Sequence, residues 1–483
     1  MFCGGLVSMA DAHRLWAETE FGRAGLGDVR RVRRLVRLAA AAARKPDGCL
    51  PAVLEGAADR EAGFRFVENE DVPVAAIANA SHAATARRCV KEAQVIVPVD
   101  GSSLTMPSDR RLRGFGAVGA RRYKRQGVQV MSALALTEGG VPLGLLAQDV
   151  WVRGRKATAP RKGRGSKHDR RPREARESYA WVRVLRTAVE HLGTHAPATT
   201  PWFQMDRGAD CLSVLAHAHD AGLRVTVRAC RERRLRWPDG REGYLFDAIA
   251  TQPVVGSYEL AVPARPDQVA RRAVLDIRFT RLPLLLRVSK KKRRVVETQV
   301  LLAIERHPPV GQTPLRWMLF TTHPVATIAD ALQILAAYAL RWRIEDFHKT
   351  WKSGACRIEE SRLQALDHLL RWATIMAAVA ARIERIKHLS RQTPDVPATV
   401  EYSRDEIDAT LLLYKPTLTK IHIPYNLGDT PTVGEVTRWI ASLGGYMGSR
   451  NSPPPGTIVL RRGLERIQAA ATALAALREQ RSG

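Results

Sequence analysis

Apolar positions recur at helical spacing from residue 12 to residue 43, and the segment opened by Leu26-Gly27-Asp28 separates them from charge. Arg30, Arg33, Arg34 and Arg37 fall at i, i+3, i+4 and i+7 and form one basic face, while Val29, Val32 and Val36 supply an apolar one. A β-rich run then extends from Gln94 to Val99 and meets a turn signal at Asp100-Gly101-Ser102-Ser103. Val128 to Leu136 and Val141 to Val152 read as a hairpin about Gly139-Gly140. Residues 153–177 are rich in Arg, Lys, Gly and Pro and read as a mobile basic loop. Helical period over 178–194, a strand at Trp202–Met205, a helix at Leu212–Ala221 and a strand at Leu223–Ala229 predict a mixed α/β sheet with crossover helices.

Between residues 231 and 325 the pattern changes to short β-like runs broken by Pro, Gly and charge, including Lys290–Arg294, which predicts an inserted antiparallel unit. Helical sequence returns at Ile328 and runs through Ile386. After a polar stretch near 390–398 it resumes to the end, with a loop at Asn451–Pro455. There is no internal repeat.

Composition narrows the classes. The 483 residues include 45% hydrophobic and 26% charged positions, ordinary for a globular chain and against a disordered or collagen-like one. The 76 Lys+Arg against 48 Asp+Glu leave +28, which points to a polyanionic partner. No apolar run reaches 18 residues, so no membrane association is expected, and Met1–Met9 lacks the basic start of a signal peptide; Met9 is a second candidate start. Six cysteines without CxxC or Cys/His spacing give neither a zinc motif nor a disulfide framework, and suit a reducing cytoplasm. His217 and His219, two apart on a helix, point to different sides and are not expected to ligate together.

Asp100 and Asp206 each stand where an apolar run gives way to a turn, the part of an open α/β sheet where sites form. Each also has a plainer reading, Asp100 as a turn former and Asp206 as a helix N-cap. Read as one helix, Tyr338 to Lys352 sets Tyr338, Arg341, Glu345, Lys349 and Lys352 at offsets of 3, 4, 4 and 3, on a single stripe. Salt bridges from Glu345 to Arg341 and Lys349, at about 0.3–0.5 kcal/mol each, would explain the charges but not the aligned phenol. Three acids without histidine or cysteine suit a hard ion such as Mg²⁺, or Mn²⁺ in its place. Two such ions could serve phosphodiester chemistry.

Asp100, Asp206-Arg207-Gly208-Ala209-Asp210 and the Tyr338…Arg341…Glu345…Lys352 signature together resemble the DDE transposases of the insertion-sequence-four family, Tn5 type. Leu26-Gly-Asp-Val-Arg-Arg-Val-Arg-Arg-Leu35, Glu61-Ala-Gly-Phe-Arg-Phe66, Thr313-Pro-Leu-Arg-Trp317 and Leu443-Gly-Gly-Tyr-Met447 extend the similarity over nearly the whole chain. The resemblance implies a ribonuclease-H-like mixed-sheet core over 76–375 with an inserted antiparallel β unit at about 231–325. A helical end-binding domain over 1–75 and a helical dimerisation domain over 376–483 would flank it. It implies Asp100, Asp206 and Glu345 as ligands of two Mg²⁺ or Mn²⁺ ions. Tyr338, Arg341 and Lys352 would hold terminal phosphates, with Lys349 on the same face, and Trp317 would stack on a flipped base. Arg228 would touch DNA beside the acids, and Arg30, Arg31 and Arg34 would lie in the end-binding helix.

Each of these has a bland counterpart: Trp317 as core, Arg228 as a solvated strand residue. The expected protein is a cut-and-paste transposase that nicks transposon ends, passes through a hairpin and joins 3′ ends to target DNA as a homodimer in a bacterial cytoplasm, at the nucleoid. The alternatives are a domesticated non-catalytic DNA-binding protein and a ribonuclease-H-like nuclease or resolvase.

Overall fold

The computed structural model describes residues 12–107, 111–119, 125–153, 177–262, 269–288, 292–414, 424–448 and 454–482, so most of the basic 153–177 segment, Lys290 and Lys291 of the basic run, and 451–453 of the expected loop lie outside the described residues. Helices α1 (Ala12–Phe21), α2 (Val29–Arg44), α3 (Leu50–Val53), α4 (Ala57–Glu68) and α5 (Val74–Cys89) precede the sheet. Strands β1 (Gln94–Met106), β2 (Gly116–Ala117), β3 (Gln126–Leu136) and β4 (Pro142–Trp151) lead to α6 (Ala180–His195), β5 (Thr200–Met205), α7 (Leu212–Asp220) and β6 (Arg224–Arg228). Next come β7 (Arg234–Arg236), β8 (Glu242–Tyr244), α8 (Leu245–Ala250), β9 (Gly256–Val262), β10 (Arg271–Arg287), β11 (Arg293–Glu305) and β12 (Arg316–Thr321). The chain closes with α9 (Ile328–Ala339), α10 (Arg343–Lys352), α11 (Leu366–Gln392), α12 (Arg404–Tyr414), α13 (Val433–Leu443) and α14 (Thr457–Ser482). No described helix is long and apolar enough to cross a membrane.

The strands join in one mixed sheet of order β2-β3-β1-β5-β6-β12-β11-β10-β7-β8, with β4 on β3 and β9 on β10. β1, β5 and β6 run parallel, linked through α6 and α7, whereas β3 and β12 are antiparallel to their neighbours. The β3–β4 hairpin turns at Gly139-Gly140, where Gly140 has φ +80°, a conformation that favours glycine. The expected insertion is antiparallel, but its last strand, β12, pairs with β6 through Phe320↔Val227 and Leu319↔Arg228. The insertion therefore extends the central sheet instead of standing apart.

Alternation along the strands sorts the two faces. Val97, Val99, Phe203, Met205 and Val227 enter the cluster covered by α6 and α7, while Ile96, Trp202 and Leu319 enter the one covered by α9 to α11. Leu35 and Leu38 of α2 belong to that second cluster too, so the N-terminal helices share a core with the sheet. A third cluster joins the end of α11 to α12, α13 and α14.

In α2 the basic face forms as expected, capped by Asp28, whose side chain accepts from the Arg30 backbone N–H. Its apolar face is centred on Val36, Leu35 and Leu38, and Val29 lies 60% exposed in the first turn, outside it.

Buried ionisable groups make stability acid-sensitive. Burial holds His82 and His348 down to about 3, so the folded protein keeps them neutral while the unfolded chain protonates them near 6.5. Ion pairing with His13 holds Glu406 at about 2 despite its burial. The imidazole contribution is therefore present above pH 6.5 and lost as pH falls toward 3, and the Glu406 contribution is lost below about 4.5. Asp100, raised to about 6, opposes this with one group against two. The urea midpoint should fall steadily from pH 6.5 to 3, each unopposed group contributing about 1.4 kcal/mol per pH unit. A flat midpoint over that range would contradict the assigned neutral histidines.

Candidate active site

The pairing register aligns the candidate residues. Val99, Met205 and Val227 are successive partners across β1, β5 and β6. Asp100, Asp206 and Arg228 follow one residue later, in adjacent positions on the face covered by α9 and α10. Trp317 lies on the same face of β12, two residues from Leu319, the partner of Arg228.

The turn expected at Asp100 does not form. β1 continues to Met106 because β3 pairs with it as far as Met106↔Gln126, so Asp100 sits mid-strand where its other neighbour, β5, ends. Asp206 does fill its plainer role: it caps the 3₁₀ turn Arg207–Ala209 and accepts from the Gly208 N–H at 2.7 Å. A Cβ on Gly208 would lie 3.0 Å from Asp206 Oδ1 and 3.1 Å from the Trp181 ring, so a side chain there would press on both. Asp210, the other acid of that motif, is buried and taken up by the Cys230 N–H at 3.0 Å and by Arg233.

The helix expected from Tyr338 to Lys352 is broken. Tyr338 ends α9, Arg341 lies in the 3₁₀ turn Leu340–Trp342, and Glu345, Lys349 and Lys352 belong to α10. The tighter turn preserves the approach of Arg341 to Glu345. Its guanidinium, 7% exposed, donates to Asp100 Oδ2 at 3.3 Å and Glu345 Oε1 at 2.8 Å, so one buried cation joins a strand acid to the helix acid. Burial and the Asp206 carboxylate push Asp100 up to about 6, against the pull of Arg341. These acids repel at a half-buried place and draw in a cation, which is what an all-oxygen divalent-metal site requires.

Around the acids, Tyr338 is 3% exposed, its ring 5.5 Å from Trp317 edge-on, and its hydroxyl is set toward Arg341 and Arg228. Burial raises its pKa, with Arg341 and Arg228 opposing. Arg228 donates to the Arg316 carbonyl at 3.0 Å, and burial lowers its pKa. Trp317 is half-buried and also faces Tyr258 at 6.4 Å, so it is neither deep core nor solvent-free. Lys352 donates to Ser102 at 3.3 Å and pairs with Glu359 at 3.7 Å, while Lys349 is exposed. In α2, Arg30, Arg31 and Arg34 pair with Asp28, Asp71 and Asp59 and sit far along the chain from the acids.

Sequence reasoning missed Glu359, which accepts from the Thr105 N–H at 2.7 Å and ties β1 to the segment after α10. It also missed Asp346, Glu384 and His388, whose ligand atoms lie within 4.8 Å of one another. Lys387 pairs with both acids of that group, at 2.5 Å from Glu384 and 3.3 Å from Asp346, while neither ring nitrogen of the buried His388 has a hydrogen-bond partner among the described residues.

Three family models match the chain: transposase DNA-binding over residues 13–72, transposase DDE domain over 151–381, and transposase Tn5 dimerisation domain over 378–482. They follow one another in the order of one architecture and leave residues 73–150, which include Asp100, between the first match and the second. The chain is a DDE transposase of the Tn5 type. The transposase binds DNA, forms dimers and cleaves DNA with divalent metal. Its mixed sheet between helical N- and C-terminal regions is consistent with a ribonuclease-H-like core.

Proposed function

We propose that the transposase cuts at the two ends of a mobile element, within a homodimeric synaptic complex, and joins the freed 3′ ends to target DNA in a bacterial cytoplasm, at the nucleoid. The observation that carries this reading is the adjacent placement of Asp100 and Asp206 beneath Glu345, with Arg341 bridging Asp100 to Glu345. Asp100, Asp206 and Glu345 would hold two Mg²⁺ or Mn²⁺ ions, since all three donors are carboxylates and two of them share one buried cation. Bound there, such ions supply activation of a water or 3′-hydroxyl and stabilisation of the leaving oxygen.

The remaining groups orient DNA. Arg341 and Arg228 are planar donors beside the acids, suited to phosphate oxygens, with the Tyr338 hydroxyl between them and Lys352 on the β1 side. Lys349, exposed on α10, adds charge along the approach. Arg30, Arg31 and Arg34 would exchange their acidic partners for phosphates of the end sequence, in a region proposed as residues 1–75. The catalytic region would span 76–375 and the dimerisation region 376–483.

The reaction course is proposed as cut-and-paste through a hairpin. Water first breaks one strand. The released 3′-hydroxyl then attacks the opposite strand, displacing its 3′ oxygen, and water reopens the product before joining. A base next to the hairpin must leave the stack, and the exposed part of Trp317 offers a face for it. Trp317→Ala should keep the first nick but lower hairpin yield about 5–150-fold, the equivalent of about 1–3 kcal/mol of stacking. Products resolved on a denaturing gel, with circular dichroism to check folding, measure this. Unchanged hairpin yield from a folded variant would remove the base-holding role, and breaks without any hairpin from the parent protein would favour a nuclease or resolvase.

A further inference from the structure

A polar row crosses an otherwise apolar face of the sheet. On the side covered by α9 to α11, β3 contributes Val130 and Leu134 to the core, with Ser132 between them. Ser132 is paired directly with Asp100 of β1 on one side and with Gln148 of β4 on the other. Fully buried, it accepts from Gln148 Nε2 at 3.0 Å, and its Oγ lies 3.2 Å from Nε2 of His348, which projects from α10. Burial keeps His348 neutral, so Nε2 accepts the proton that Gln148 leaves Ser132 free to donate. The hydrogen bonds thus run in one direction, from β4 through β3 to the helix that carries Glu345.

We infer that Ser132, Gln148 and His348 are positioning residues for the acid centre: they seat α10 on the sheet and so set the span between Asp100 and Glu345. The inference rests on the reading of these acids as metal ligands and adds the device that spaces them. One end of the bonded row is the cross-strand neighbour of Asp100, at a Cα separation of about 4.5–5.5 Å. The other end is His348, three residues after Glu345 and therefore on the adjoining part of the same helix surface. Arg341 also joins the two acids, but through the carboxylate oxygens that a metal would take. The buried row grips the elements instead, and stays made whichever cation lies between the acids.

Stability alone does not account for three polar side chains there. A buried hydrogen bond returns little beyond the cost of stripping water from its partners, and apolar side chains of the same shape can pack as stably. What an apolar contact lacks is direction. It lets a helix slide by fractions of an ångström, whereas the ligands of Mg²⁺ must stand within a narrow range of about 2.0–2.1 Å from the ion. Outer groups that orient metal-binding side chains are typically worth about 10–100-fold in metal affinity.

The test compares His348→Met, which removes the acceptor, His348→Gln, which returns one, and Ser132→Ala/His348→Met, which removes both partners and leaves no buried hydroxyl unpaired. For each, calorimetry gives the Mn²⁺ affinity of the full-length protein, and the Mg²⁺ concentration for half-maximal nicking and the urea midpoint are read beside it. At neutral pH the double variant should keep a urea midpoint close to the parent's yet bind Mn²⁺ about 10–100-fold more weakly and need correspondingly more Mg²⁺ to nick. His348→Met should weaken Mn²⁺ binding in the same way, and His348→Gln should recover most of the loss. Parental Mn²⁺ affinity in the double variant would overturn the inference, as would affinities that fall only in step with the urea midpoint, His348→Gln included. Asp206→Ala separates this from the reading beneath it. If that variant loses Mn²⁺ while the double variant binds as the parent does, this inference alone fails; if Asp206→Ala itself binds as the parent does, the acid-centre reading fails and this inference with it.

Discussion

Asp100→Ala, Asp206→Ala and Glu345→Ala should each reduce strand cleavage by at least about a thousandfold while leaving DNA binding close to that of the parent protein. A phosphoryl-transfer centre that loses one carboxylate loses metal placement, and single-group losses of this kind are worth about 4 kcal/mol or more of transition-state stabilisation. DNA affinity draws instead on a chain of net charge +28, where removing one acid takes away no phosphate contact. Folding should survive, because Asp100 is pushed to about 6 by burial beside Asp206 and gains little by being charged. Nicking assays with gel-shift controls check each variant. Near-parental cleavage by any one of them would remove that residue from the centre.

The largest effect on stability should come from Trp372→Ala. Trp372 lies fully buried in α11, and its indole N–H donates to the Gly48 carbonyl at 2.9 Å, joining the long helix to the N-terminal region. Truncation leaves a cavity and an unpaired carbonyl, for a loss of about 3–5 kcal/mol. Because α2 and the sheet share one apolar cluster with this helix, the loss should appear as a lower midpoint of a transition that includes both. A loss under about 1 kcal/mol in urea unfolding would show that the N-terminal helices and the core do not depend on this contact.

Much of this arrangement was readable in the chain, and what was not depends on distant partners. Apolar alternation giving way at Asp100 and Asp206 marked both acids, and they fall side by side because the β1–β5 pairing ends at Val99↔Met205, one residue before each. The strand did not stop at Asp100, because β3 supplied partners for Gly101, Ser102 and Ser103 that no local turn signal can reveal. Spacing brought Arg341 to Glu345, but the offset of 3 from Tyr338 to Arg341 fits a 3₁₀ turn as well as an α-helix, so the break at Leu340–Trp342 was invisible. The contact of Arg341 with Asp100 joins residues 241 apart in sequence. The basic face of α2 was legible, whereas its pairing with Asp59 and Asp71 was not, since those acids reach it only after α4 packs alongside. Glu384 and Lys387 gave no signal of their own, being two charges within a long helix whose burial is set by α10 and α14.

The most direct test of the central claim, that Asp100, Asp206 and Glu345 ligate the catalytic metal, is a change of ligand softness at Asp206. Asp206→Cys puts a thiolate where a carboxylate stood, a poor ligand for Mg²⁺ and a better one for Mn²⁺. Cleavage by this variant should be lost in Mg²⁺ and partly regained in Mn²⁺, by tenfold or more relative to the parent under the same exchange. Equal inactivity in both metals from a folded, DNA-binding variant, or full activity in Mg²⁺, would contradict the assignment of Asp206 as a metal ligand.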